Sequence, residues 1–128
     1  MTPQPTILLN QPLFEGSAGP GPDHNLALPN LVACPDGTIL LAHRAGRQKN
    51  TGDGTQRLWR SRDGGATWQR EKFPFPRTPA GQEGEFRTAA MSRIGPGRLA
   101  LLLTWLDHPP GDSPLVNPAT EGLLPVHL

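Results

Sequence analysis

Ser61-Arg62-Asp63-Gly64-Gly65-Ala66-Thr67-Trp68 is the stretch on which the reading of this chain depends. Its residue types describe a tight β-turn. The Asp63 carboxylate can accept backbone N–H groups across the turn, while the Ser61 and Thr67 hydroxyls can pin its shoulders. Gly65 permits a positive φ, and Trp68 can bury a large ring against the adjacent sheet. Short runs flank the turn, Gln56 to Ser61 (QRLWRS) and Thr67 to Phe73 (TWQREKF), so it closes a β-hairpin.

A second hairpin lies upstream. Ala27 to Cys34 (ALPNLVAC) and Thr38 to His43 (TILLAH) are joined by Pro35-Asp36-Gly37. Proline presets φ, aspartate bonds its own backbone and glycine takes φ > 0. A polar loop, Ala45 to Thr55, links the two hairpins into four antiparallel strands, a small meander. The pattern then restarts. A shift of 60 places Gly97 on Gly37, Leu101 on Leu41, Leu99 on Ile39, Ile94 on Cys34 and Met91 on Leu31. The second unit has strands at Thr88 to Ile94 and Arg98 to Leu106, then a long loop, Asp107 to Thr120. A third strand begins in Gly122 to Leu128, and there is no counterpart to the second hairpin. Thr6 to Phe14 can supply one further strand, with Ser17 to Asp23 as a flexible linker. Repeated four-stranded units indicate a β-propeller, which closes with roughly four to eight blades. Fewer than two fit here, so the expectation is a piece of a larger ring. It divides into an extended segment (1–25), a first blade (26–74), and a linker with an incomplete second blade (75–128).

Composition excludes several classes. Fifteen glycines and 16 prolines rule out a helical bundle. Twelve basic against 11 acidic residues leave a net charge of +1, which argues against nucleic acid or a membrane surface as a charge-driven partner. The single cysteine, Cys34, excludes an intrachain disulfide framework and a multi-thiolate metal site, and reads as a small core residue. No apolar run approaches the roughly 18 residues of a membrane span. Met1 to Gly16 lacks an export signal's basic start and apolar stretch, which leaves the cytoplasm as the default. His24, His43, His108 and His127 show no metal-ligand spacing, and no metal or cofactor is implied. Gly95-Pro96-Gly97 is a turn, not a phosphate cradle, because no helix follows it.

Residues 61–68 match Ser-x-Asp-x-Gly-x-Thr-Trp at all five fixed positions, and so resemble the Asp-box of the sialidase (neuraminidase) superfamily. The resemblance implies an all-β fold, part of a six-bladed propeller: one complete four-stranded antiparallel blade and part of a second. In that family the turn lies on the rim, so Ser61, Asp63, Gly65, Thr67 and Trp68 would be structural. Leu28 to Leu31 and Gly37 to Ala42 are similar to the family's opening blade, whose first strand carries Phe/Tyr-Arg-Ile-Pro. Pro29 keeps the proline, but Ala27 stands where the carboxylate-clamping arginine belongs. The resemblance makes Arg44 a substrate-binding residue and Asp53 the acid/base of the following loop. The alternatives are a turn former for Asp53 in Gly-Asp-Gly and an ion-paired sheet-edge residue for Arg44. Arg87 falls on Ala27 in the 60-residue shift, which would aim it at a central channel as a carboxylate ligand; the alternative is a solvated arginine beside Glu83 and Glu85. His43 and His108 read as surface or sheet-face residues, and Trp59 and Trp68 as packing between blades.

The resemblance implies a parent glycoside hydrolase that cleaves terminal sialic acid, or a related acidic sugar, from glycans. The family's nucleophile is a tyrosine activated by a glutamate, an exception to the two-carboxylate scheme. This chain contains no tyrosine. It is therefore expected to be inactive alone, with nucleophile and further arginines in blades outside it. Two other readings stay open: a non-catalytic module binding glycan or protein, and a structural repeat without a small ligand.

Overall fold

The computed structural model describes residues 12–13, 23–49, 51–76, 78, 81, 84–107, 116–117, 122–123 and 126–127. They form strands and turns, with no α-helix among them. Strands β1 (Asn25–Ala33), β2 (Ile39–Gly46), β3 (Thr55–Ser61) and β4 (Gln69–Glu71) make a four-stranded antiparallel meander in chain order. In a second sheet, β5 (Gly84–Gly95) pairs with β6 (Arg98–Asp107), and β6 with β9 (Val126–His127). Strands β7 (Val116–Asn117) and β8 (Gly122–Leu123) pair with each other. Most of the expected Thr6–Phe14 strand, the linker at 17–23 except Asp23, Glu83, and the loop from 107 to 120 beyond Asp107 and β7 lie outside the described residues, as does His108.

The first hairpin closes as its turn residues dictate. Asp36 Oδ1 accepts the Thr38 N–H at 3.0 Å, and the Gly37 N–H reaches the Cys34 carbonyl at 3.1 Å. Strand β4 is shorter than the run Thr67–Phe73 because Thr67 and Trp68 are spent in the turn. Phe73 leaves the sheet at the other end and packs with Phe75 over Phe86, at ring centroid distances of 5.8 and 6.5 Å from Phe86. Strand β5 starts four residues earlier than the Thr88–Ile94 run suggests. Glu85 and Phe86 are buried there by the first sheet, a contact their sequence neighbourhood does not announce.

The 60-residue repeat appears in the pairing register. Leu31 faces Leu41, and Met91 faces Leu101. Each hairpin also slips its register near the same point, between Ala27 and Asn30 in one and between Phe86 and Thr88 in the other. Ala45 pairs with Thr55 on β3, and its counterpart Trp105 pairs with His127 on β9. The hairpins β1–β2 and β5–β6 thus share a register, while the second sheet has three strands to the first sheet's four.

The sheets pack face to face. Alternation sends Val32, Leu40, Ala42 and Leu58 to one side of the first sheet, where they meet Ala89, Met91, Leu101 and Leu103 of the second. Polar bonds lock the same interface: Asn30 Oδ1 accepts the Met91 N–H at 2.8 Å, and Gln56 Nε2 donates to the Phe86 carbonyl at 3.1 Å. The core is small and shared.

Candidate functional site

The β2–β3 loop, the end of β2 and the start of β5 converge at one end of the two sheets. Strand β2 delivers Arg44 to the face turned toward β5, and the register sets it opposite Ala27 and Gln56. Arg44 is 0% exposed, as is Glu85. Arg44 Nε donates to Glu85 Oε2 at 2.8 Å, and Nη2 lies 2.7 Å from the same oxygen. The rest of the guanidinium holds the loop, Nη1 on the Gln48 carbonyl at 2.8 Å and Nη2 on the Thr51 carbonyl at 2.6 Å. A fully enclosed arginine with this set of acceptors ties two sheets and a loop together. Gly54 makes the pairing possible: any Cβ at that position would overlap the Glu85 carboxylate and the Arg44 guanidinium.

Arg87 joins the same group. Its Nη1 donates to Glu85 Oε1 at 3.1 Å and to the Lys49 carbonyl. Glu85 therefore stands between two arginines, with one oxygen for each. Of the pair, Arg87 keeps some access to solvent, with 16% of its side chain exposed.

Asp53 occupies the tip of the loop as a hydrogen-bond acceptor. Oδ2 accepts the Arg47 N–H at 2.9 Å and the Arg47 Nε–H at 3.2 Å, while Oδ1 accepts the Thr51 hydroxyl. Partial burial raises its pKa, but the Thr51 hydroxyl and both Arg47 donors outweigh that and hold it below the ordinary carboxylate value. A proton donor works best with a pKa near the working pH. In this state Asp53 is an ionised anchor for its loop. The three residues the sequence singled out, Arg44, Asp53 and Arg87, are thus gathered at one end, each with partners in the protein. Glu85, which links two of them, entered the sequence reading only as a neighbour of Arg87. Its position two residues before Arg87 on a strand was the available signal, since such residues share a face.

His43 lies on the opposite face of the first sheet. It is buried, its Nδ1–H donates to the Arg44 carbonyl at 3.0 Å, and Nε2 accepts the Trp59 Nε1–H at 2.9 Å. Those roles require the neutral ring, and burial pushes its pKa below the ordinary 6.5. Of the two places expected for His43, surface or sheet face, the fold supplies the sheet face, where Trp59 and the sheet enclose it.

The 61–68 turn sits at the far end of β3. Ser61 Oγ donates to Asp63 Oδ1 at 2.8 Å and accepts the Gly65 N–H at 2.8 Å. Thr67 gives Asp63 both its N–H, at 2.9 Å, and its hydroxyl, at 2.5 Å. The Thr67 hydroxyl and N–H and the Ser61 hydroxyl together hold the Asp63 carboxyl down to about 2. Gly65 adopts φ +96°, and Trp68 Nε1 donates to its carbonyl at 3.0 Å. The Trp68 ring thus lies over its own turn. A hollow of about 480 Å³ also opens at this end, between the turns at 34–38 and 95–99, with Arg60, Arg93 and Arg98 on its rim. It shares no residue with the Arg44–Glu85 group. Among the described residues no cluster of His, Cys, Asp or Glu has the arrangement of a metal site, and no helix is long and apolar enough to cross a membrane.

Comparison of this chain with known families, with characterised proteins and with solved structures returns no match.

Proposed function

We propose that this chain is the opening part of a sialidase-like propeller, whose parent is a glycoside hydrolase acting on terminal sialic acid or a related acidic sugar. The observation that carries this reading is the 61–68 turn with its closed set of hydrogen bonds, seated on a four-stranded meander that begins to repeat 60 residues on. Its sequence fits the Asp-box at every fixed position. The loop carboxylate Asp53 and the partly exposed Arg87 lie at the other end of the sheets, where that family binds its substrate. In this proposal Asp53 is the acid/base, Arg87 meets the substrate carboxylate, and Arg44 positions the loop through Glu85. Substrate entry would then have to displace the Arg47 and Thr51 donors from Asp53 before it can carry a proton.

A second reading has its own support. Ala27 cannot clamp a carboxylate, and Arg44 is enclosed. Both favour a non-catalytic module that binds glycan or protein through the same end.

Hydrolysis of a fluorogenic sialoside tests the first reading. The 128-residue chain should release no fluorophore, since it holds no tyrosine. A parent carrying the later blades should, and Asp53→Asn should slow it by about 10²- to 10⁴-fold. A parent that retains sialylated glycan without cleaving it supports the second reading. An Asp53→Asn parent at the full rate overturns the acid/base assignment.

A further inference from the structure

The row of apolar side chains between the two sheets changes character at the end that carries the 61–68 turn. On β3 the residue two beyond Leu58 is Arg60, paired with Leu40, and on β5 the residue two beyond Met91 is Arg93, paired with Leu99. Residues two apart on a strand share a face, so both arginines stand where the core would continue. Apolar side chains at those positions would close the sheets on each other. Instead the hollow of about 480 Å³ opens there, lined by Leu40, Leu99 and Pro96 as well as by Arg60, Arg93 and Arg98. Its walls come from both sheets of this chain, and its size is that of a small-molecule site.

The three arginines differ in what they hold. Arg60 Nε donates to Glu71 Oε1 at 2.6 Å. Arg93 and Arg98 are exposed, and among the described residues their guanidiniums have neither a hydrogen bond nor an ion pair. The one carboxylate on the wall, Asp36, is engaged by its own hairpin, where it accepts the Thr38 N–H at 3.0 Å. Positive charge is therefore in excess beside an apolar wall. Two unpaired arginines on a plain surface would only be solvated; here one of them continues a core row into a cavity. Their planar donor forks match the oxygens of a carboxylate or a phosphate.

We propose that this hollow binds a small organic oxyanion, a carboxylate or phosphate monoester on an apolar body, with Arg93 and Arg98 at the charged head and Leu40 and Leu99 against the body. Calorimetric titration of the chain with naphthoate, naphthyl phosphate and the neutral naphthamide tests it. At least one anion should bind, and the amide should bind about tenfold more weakly or worse. The tighter of the two anions names the head group. Arg93→Gln and Arg98→Gln should each weaken anion binding by about tenfold. Their circular dichroism should stay that of the unmodified chain, because neither guanidinium holds another described residue. Leu99→Trp, which fills the hollow from its wall, should abolish binding. Cys34, the single cysteine of the chain, lines the same hollow, so bound anion should slow its alkylation by N-ethylmaleimide. Should Leu99→Trp unfold, that protection locates the ligand instead. The proposal is overturned if neither anion binds at millimolar concentration, if the amide binds as well as the anions, or if both arginine variants keep full affinity. Unchanged alkylation of Cys34 with the anion bound overturns it too, as does inorganic phosphate binding as tightly as naphthyl phosphate, since the apolar body would then contribute nothing. None of these outcomes touches the glycan reading, which rests on Asp53 and Arg87 at the other end of the sheets.

Discussion

Arg44 and Glu85 show how a residue's sequence neighbourhood conceals its role. Read locally, Arg44 is the charged end of an apolar strand; folded, it is enclosed with a carboxylate 41 positions away. Removing one partner of such a pair leaves the other charged, buried and uncompensated. Glu85→Gln should therefore lower unfolding free energy by about 3–5 kcal/mol in urea titrations, while Arg44→Met with Glu85→Leu should cost much less than two single changes combined. A loss below about 1 kcal/mol for Glu85→Gln would show that the pair does not hold the sheets. His43 adds a pH dependence with a definite sign. Its folded pKa lies below the ordinary 6.5, so the unfolded chain binds more protons as pH falls. The stability contributed by the neutral ring is complete above 6.5 and is lost as pH falls through the folded value. Thermal melts should show that loss in the parent chain and not in His43→Leu.

At the scale of elements, the turns were the most legible part of the chain. Asp63, Ser61, Gly65 and Thr67 act on one another within a few residues, so their hydrogen bonds follow from order along the chain. The Asp63 carboxyl is held at about 2 in the folded turn, below its usual 3.8. Its contribution is therefore present above 3.8 and lost as pH falls toward 2. Amide exchange at Thr67 should accelerate in that window beyond its intrinsic pH dependence, and Asp63→Asn should abolish the extra acceleration. Gly65→Ala should cost about 1–2 kcal/mol, because φ +96° strains any residue with a Cβ. An unchanged melting temperature in that variant would mean the turn relaxes freely. Strand ends were less legible. Glu85 and Phe86 belong to β5 because the first sheet and the Phe73–Phe75 segment cover them, not because of their own pattern.

For the molecule as a whole, the decisive fact is that one core serves two sheets. Met91 and Ala89 from the second sheet fill the same cluster as Leu40 and Ala42 from the first. Met91→Ala should cost about 2–5 kcal/mol and destabilise both sheets together. Single-tryptophan variants that keep Trp59 or Trp105 should report one shared unfolding midpoint; two separated midpoints would mean that each sheet stands alone.

The sequence alone determined the all-β class, the hairpins and the 60-residue repeat, because turn chemistry and alternation act over a few neighbouring residues. It also singled out Arg44, Asp53 and Arg87. Only the tertiary structure decided what those side chains do: Glu85 stands between the arginines, and Thr51 and Arg47 hold the Asp53 carboxyl below its ordinary value. It also decided which face of the first sheet packs on the second. Those outcomes depend on contacts across dozens of residues, and a strand's own pattern says that a face is apolar without saying what meets it.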